Sequence, residues 1–529
     1  MGHANSVSPG MRTLLRPTIS SIGVTVLMAL GVIANIGPHV AVAGAASVTI
    51  VASHAPLPGN ADSDPAVVLS QSACADSTSC VAVGSYQDAD GAQQVLLETL
   101  SSGGWMPSEG ALPDNAGADP EAGLKSVSCP APGTCEALGT YIDSEGNQQG
   151  LIDSLANGAW TPSPALLPSN AATNPDVQLN ALACPAPTAC VGVGSYDANN
   201  TAIDQPPLIE SLSGGSWTPS EGPLPVGSGS GMLNKVSCPV AGSCVAVGSY
   251  GVMTDPSGLV NQNTLPLVST LASGGWTSGE GAIPNDADTS ALDAETVEFL
   301  GDWCDPAGLC QAVGTFADGS GGQQALLETL SGGTWVVDSP TLPADADSDG
   351  AFAELRSVSC QAEQPCLAVG SYIEASGNRR ALVENVSADG GTPGDVSLPS
   401  DASDDLAASM NGVSCSTSMP TPVTPQITTP ATTTPSTATP TTTAPSTTTT
   451  TTTTTNPEST TNSAVSTTTT STAPTSTTTT TTTPTTTPTT APTPASAETT
   501  CTILGSYQDQ NALSQGLIGI SDTSGPAPS

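Results

Sequence analysis

Fourteen cysteines recur as seven pairs at one place in a repeated unit, and this spacing limits the fold more than any other property of the chain. The leading cysteines, Cys74, Cys129, Cys184, Cys238, Cys304, Cys360 and Cys415, are separated by 55, 55, 54, 66, 56 and 55 residues. Six have a partner six positions on, at Cys80, Cys135, Cys190, Cys244, Cys310 and Cys366, and each partner opens a near-copy of Val-Ala-Val-Gly-Ser-Tyr. The seventh partner, Cys501, opens Thr-Ile-Leu-Gly-Ser-Tyr beyond a Thr/Pro tract. A period of this length with several strands per unit marks a repeat architecture, and seven copies suggest a closed ring.

The second copy, from Leu124 to Pro168, alternates short β-prone runs with Pro, Gly, Asn and Asp turns. This predicts four strands per unit, and no stretch sustains helical periodicity. Pro-Ala-Pro-Gly-Thr between Cys129 and Cys135 reads as a hairpin loop whose flanking cysteines face each other across the ladder. Asp88-Ala-Asp90-Gly91 and Asp143-Ser-Glu145-Gly146 read as tight turns between the second and third strands. The fourth strand opens at Trp105, Trp160, Trp217, Trp276 and Trp335, and recurrence in blade after blade points to packing between sheets rather than ligand stacking. The expected fold is all-β: a seven-bladed β-propeller of four-stranded blades.

The chain ends support closure. Leu-Pro ends the fourth strand in most units, and it also occurs at Leu57-Pro58, with no first three strands before it. The last unit conversely stops after Gly516–Ile520 without a fourth strand. Residues 47–58 are therefore expected to complete the last blade, with Ile50 at the place of the tryptophan. Residues 416–500 replace a five-residue hairpin turn and read as a disordered Thr/Pro/Ser-rich insertion in that blade. The propeller is thus expected over 46–415 and 501–522, with a disordered tail at 523–529.

Residues 1–45 have the order of a secretory signal. Arg12 and Arg16 precede an apolar run from Ile22 to Ile36, then a small-residue stretch around Ala43. The 15-residue run falls short of the ~20 residues that span a bilayer, so no membrane insertion is expected after cleavage. Paired cysteines at regular spacing argue for disulfides in an oxidising compartment, whereas zinc sites want Cys-x-x-Cys or nearby histidines. The chain carries 47 acidic residues against 7 basic ones, which excludes nucleic-acid binding by repulsion from phosphate.

The phrase Val-Ser-Cys-x5-Cys-x-Ala-Val-Gly-Ser-Tyr, followed by Leu-x-Glu-Thr-Leu-x-Gly-Gly-x-Trp, resembles the repeats of a group of secreted actinobacterial proteins. That resemblance implies a propeller-like extracellular protein and no assigned activity. A looser likeness is to sialidase-type Asp-box propellers, yet Thr329-Leu-Ser-Gly-Gly-Thr-Trp335 is one residue shorter than their turn and lacks its aspartate. A sialidase also needs several arginines around one pocket to hold the substrate carboxylate. Downstream of the leader there are only Arg356, Arg379 and Arg380, all in blade six, which argues against that activity.

Catalytic constellations are sparse. His54 is the only histidine beyond the leader, so a Ser-His-Asp triad is not expected. Glu98, Asp153, Glu210, Glu328 and Glu384 fill one slot of the third strand in five blades; a catalytic acid should be a single departure, so these read as structural. Asp345, Asp347 and Asp349, with Gly350, match the start of a calcium loop, but position 12 is Arg356 where a glutamate belongs. No cofactor is required, and a weak calcium site is the only metal expectation. The function expected is a monomeric, secreted or cell-surface, non-catalytic scaffold binding an extracellular glycan or protein. The alternative is a carbohydrate-active hydrolase or lyase using paired carboxylates in the central channel.

Overall fold

The computed structural model describes residues 49–76, 78–101, 104–199, 204–252, 264–273, 275–288, 297–338, 340–347, 352–361, 366–387, 390–403, 407–418 and 498–522. The signal sequence expected at 1–45, most of the Thr/Pro tract and the 523–529 tail lie outside them. Seven antiparallel sheets succeed one another along the chain. Blade 1 comprises Val68–Asp76, Ser79–Gln87, Gln93–Ser101 and Gly104–Glu109, in that spatial order. The inner strands of blades 2 to 7 are Gly123–Ala131, Gln178–Ala186, Ser228–Val240, Val297–Cys304, Ala353–Ser359 and Ala408–Ser418. Each packs against the next, and that of blade 7 packs against that of blade 1. The fold is a closed seven-bladed β-propeller.

One local irregularity recurs in every blade. The register of the inner strand slips by one residue at Ser70, Lys125, Asn180, Asn234, Leu300, Arg356 and Asn411, four positions before each leading cysteine. A β-bulge of this kind twists the strand and disturbs its ladder. Opposite the residue that precedes each bulge lies the glycine of the Val-Ala-Val-Gly phrase: Gly84, Gly139, Gly194, Gly248, Gly314, Gly370 and Gly505. A Cβ at any of these would stand only 1.7 to 2.1 Å from an inner-strand carbonyl oxygen. The repeated glycine is thus a steric requirement of the bulge.

In four blades the bulged residue also ties neighbouring blades together. Lys125 Nζ donates to Gln178 Oε1 and Asn180 Oδ1 of blade 3 at 2.9 and 3.1 Å. The side-chain amides of Asn180, Asn234 and Asn411 donate to the carbonyls of Leu233, Phe299 and Leu69 in the following blades, at 3.1, 2.8 and 3.1 Å. Serine hydroxyls add further rungs: Ser126 and Ser357 accept from the Leu182 and Val413 amides at 2.9 and 3.2 Å. Ser128, Ser237 and Ser359 accept from the amides of Cys184, Cys304 and Cys415, at 3.1, 2.9 and 3.1 Å. The inner ring is therefore polar towards the axis, and apolar side chains fill the wedges between blades. Val83, Leu97, Leu124, Val127 and Tyr141 form one such wedge. Trp105, Trp160, Trp217, Trp276 and Trp335 each sit at the edge of a wedge.

Closure follows the expected scheme, with one addition. Thr49–His54 pairs antiparallel with Ser514–Asp522, registering Val51 with Ile520 and His54 with Leu517. Ile50 is fully buried in the wedge between blades 6 and 7. The addition is a fifth strand: Asp395–Ser397, leaving blade 6, pairs parallel with Thr49–Val51 and covers what would otherwise be an open edge. His54 Nε2 lies 2.7 Å from Asp401 Oδ2 and 2.6 Å from the Tyr507 hydroxyl, pinning the closing strand to its neighbours.

Seven disulfides join Cys74–Cys80, Cys129–Cys135, Cys184–Cys190, Cys238–Cys244, Cys304–Cys310, Cys360–Cys366 and Cys415–Cys501, with Cα atoms 4.0 to 4.1 Å apart. They point to an oxidising environment. In blade 7 the ladder continues past the disulfide, pairing Ser416 with Thr500, Thr417 with Thr499 and Ser418 with Glu498. The strands thus extend three residues further on each side than the expected boundaries at 415 and 501. Among the described residues no helix is long and apolar enough to cross a membrane.

Two predictions test this account. Gly139→Ala should cost about 3 kcal/mol or prevent folding, by forcing a methyl group into backbone. Gly104→Ala, where a Cβ would meet nothing within 4 Å, should leave the urea midpoint nearly unchanged. Deleting residues 49–54 should lower the melting temperature by at least ~10 °C, because it strips the last blade of its closing strand. An unchanged melt would contradict the closure.

Candidate functional site

The carboxylates repeated in the third strand are the first candidates by number, and the structure removes them from solvent. Glu98, Asp153, Glu210, Glu328 and Glu384 are each fully buried. Only Glu328 has a hydrogen-bond partner, the Ala282 amide of the preceding blade, at 3.1 Å; both oxygens of the other four have none. Ser269 and Gly519 hold the same register in blades 4 and 7. Desolvation raises Glu98, Glu210, Glu328 and Glu384 to about 8 and Asp153 to about 7. These groups lie inside the blade stack, where they meet no substrate.

The polar side chains at the loop ends are committed to structure as well. Asp88 Oδ1 accepts from the amides of Asp90 and Ala92, both at 3.0 Å, and Asp143, Asp318 and Asp509 cap their own turns in the same way. The three arginines among the described residues are all paired. Arg356 and Arg379 both reach Glu354 Oε1, at 2.9 and 3.1 Å, and Arg380 grips Glu374 through two nitrogens at 2.8 and 3.1 Å. They do not converge on an open pocket.

The calcium candidate is only partly covered, since Asp349 and Gly350 lie outside the described residues. Asp345 Oδ1 accepts from the Tyr372 hydroxyl at 3.0 Å. It thereby takes the place that Asn60, Asn115 and Asn170 hold beside Tyr86, Tyr141 and Tyr196. Asp345 thus forms a recurring latch of the fold. Asp347 lies two residues further on, its backbone amide donating to the Ile373 carbonyl at 3.0 Å. Among the described residues no group of three or more acidic, histidine or cysteine side chains is arranged to hold a metal ion.

The inner ring contains a departure that the sequence reading missed. A cavity of about 430 Å³ occupies the channel at the end where the cysteine hairpins lie, with lining from all seven inner strands. Three positions before the leading cysteine, blades 1 to 7 carry Gln71, Ser126, Ala181, Lys235, Gly301, Ser357 and Gly412. Two positions before it they carry Ser72, Val127, Leu182, Val236, Asp302, Val358 and Val413, and Trp303 follows where six blades have serine or alanine. Lys235, Asp302 and Trp303 all line the cavity. In the sequence, the recurring Val-Ser-Cys becomes Asp-Trp-Cys in blade 5, and that departure was the available signal.

Asp302 is 5% exposed, and neither carboxylate oxygen has a hydrogen-bond partner. Lys235 stands in the adjacent inner strand, in the slot whose serine elsewhere accepts from the next blade's backbone. Four ion pairs form within 4.0 Å among the described residues, and Lys235 with Asp302 is not one of them. Desolvation raises the Asp302 carboxyl and lowers the Lys235 ammonium, and each charge partly offsets the shift of the other. Burial thus disfavours the charged form of both groups, and the Asp302 oxygens are closed off from the cavity that Lys235 and Trp303 border.

No protein-family model matches the sequence, and a search of curated proteins finds no match. Solved structures do match, at low identity and low TM-score. The GH93 α-L-arabinofuranosidase of Fusarium graminearum in complex with arabinobiose is 12% identical, with a TM-score of 0.39 over 64% of this chain and 96% of that one. Trypanosoma rangeli sialidase is 11% identical, with a TM-score of 0.35 over 65% of this chain and 57% of that one. A protein of unknown function from Dyadobacter fermentans is 9% identical, with a TM-score of 0.39 over 64% and 96%. Likeness at this level carries no activity across.

The buried carboxyls make a prediction about pH. Their folded-state values lie above the ordinary carboxylate value, so their stabilising contribution is complete below about pH 4. It is lost as pH rises towards 8, at up to ~1.4 kcal/mol per pH unit for each group. The melting temperature should therefore rise as pH is lowered from 8 to 5, the reverse of ordinary acid denaturation. Glu98→Gln should flatten this dependence, which differential scanning calorimetry across that range would show.

Proposed function

We propose that the protein is a secreted or cell-surface, non-catalytic β-propeller that binds an extracellular glycan or protein at its channel. The observation that carries this reading is the composition of the channel lining. Among the described residues the cavity is bordered by Lys235 and Trp303 amid neutral side chains, and the oxygens of its one acidic residue, Asp302, are closed off. That set can recognise a ligand, whereas paired-carboxylate glycoside chemistry needs a second acid across the scissile bond. The repeated acids Glu98, Asp153, Glu210, Glu328 and Glu384 are enclosed within the blades. The disulfides and the expected leader support an extracellular setting.

The test is binding to an array of immobilised glycans, with a parallel assay for new reducing ends or unsaturated products from soluble saccharides. Retention on the array without product is expected. Product formed in proportion to protein would favour the hydrolase or lyase reading. An array without hits would move the search to protein ligands.

A further inference from the structure

Polar groups around the channel cavity share a bias: the fold uses their accepting atoms and leaves their donating ends over. Ser128, Ser237 and Ser359 accept from the amides of Cys184, Cys304 and Cys415, so each has its own proton left to give. Gln71 Oε1 accepts from the Ser126 hydroxyl at 2.5 Å, which leaves its NH2 group as a donor. The Lys235 ammonium can only donate, and among the described residues nothing accepts from it. These five side chains line one cavity, and Lys235 and Ser237 lie two apart in the inner strand of blade 4, on one face. Lys235 and Asp302 are the only ionisable residues in the described lining, and the Asp302 oxygens are closed off from it. Burial favours the uncharged form of Asp302, whereas Lys235, lowered to about 8, is still mostly an ammonium at neutral pH. A chain with 47 acidic residues against 7 basic ones thus holds a positive, donor-rich cavity in its channel.

We propose that this cavity binds a small organic acid through a single carboxylate, held by the Lys235 ammonium and the Ser237 hydroxyl. The inference rests on the reading that the propeller is a binding protein, and it names the ligand class and the anchoring residues. An ionised carboxylate only accepts, so it suits groups that have only protons to offer. A cation would meet the Lys235 charge and find the Asp302 oxygens out of reach. A doubly charged anion would bring two charges to one ammonium, inside the field of a strongly acidic chain. One negative charge balances the site. Trp303, also in the lining, offers an apolar wall for the rest of the acid, and a cavity of about 430 Å³ is in the range of small-ligand sites.

The full chain would be titrated calorimetrically at pH 7 with acetate, benzoate and glucuronate, and with benzamide and inorganic phosphate as controls. At least one carboxylate should bind, while benzamide, the neutral counterpart of benzoate, should not. The repeat itself provides variants that should fold. Lys235→Ser restores the residue that blades 2 and 6 carry at that place, and it should lower carboxylate affinity about 10- to 100-fold, as a charge-assisted hydrogen bond is lost. Ser237→Ala, the residue of blades 1 and 3, should lower it about 3- to 10-fold. Above pH 8 the affinity should fall about tenfold per unit as Lys235 loses its proton, and Asp302, ionising over the same range, acts in the same direction. Preference for glucuronate would identify a sugar-borne carboxylate, and preference for acetate or benzoate a simple acid; both support the site. Carboxylate binding that Lys235→Ser leaves unchanged, equal binding of benzamide, or tighter binding of phosphate would overturn it. If no carboxylate binds while the glycan array gives hits, this site is wrong and the binding reading stands. If no carboxylate binds and soluble saccharides yield product, both are wrong.

Discussion

The bulge in the inner strand is the constraint from which much of the propeller follows. One extra residue per blade brings an inner-strand carbonyl against the second strand, and only glycine can stand there. In four of the seven blades the same residue projects towards the next blade, where Lys125, Asn180, Asn234 and Asn411 find acceptors. A single irregularity thus sets both the in-blade packing and the lateral joints of the ring. The joints are individually modest, about 1 kcal/mol each, but they recur around a closed path and so resist opening together.

Much of this architecture is visible in the sequence because every blade repeats it. Pairs of cysteines six apart, tryptophans before Leu-Pro, and a stranded Leu57-Pro58 are enough to place the blades and the closing strand. The bulge is not visible, since Lys, Asn, Ser, Arg and Leu at one position show no pattern without the backbone. The parallel strand Asp395–Ser397 is hidden for a related reason: it is short, and its partner lies far away in the chain.

The channel group was harder to read than the fold because a repeat-based reading averages it away. Lys235 belongs to one unit and Asp302 to the next, so neither unit contains the constellation. The acids that attract attention by recurrence, Glu98 and its counterparts, prove to be enclosed and without contact to the channel. At Asp345 a run of aspartates resembles a calcium loop, and its side chain accepts from the Tyr372 hydroxyl at the place an asparagine holds beside Tyr86.

The closeness of each cysteine pair has a consequence for how such a chain reaches its oxidised state. A chain with fourteen thiols could scramble into many wrong bridges if pairing depended on the finished ring. Here six of the seven bonds join residues six apart across a hairpin, so the correct partner is also the one met soonest by the unfolded chain. Oxidation can proceed hairpin by hairpin, before distant strands have found one another. The exception, Cys415 with Cys501, spans 86 residues and sits in the blade that also awaits Thr49–His54. The cysteine pair that closes the longest loop and the strand whose ladder partner lies farthest along the chain are thus in one sheet.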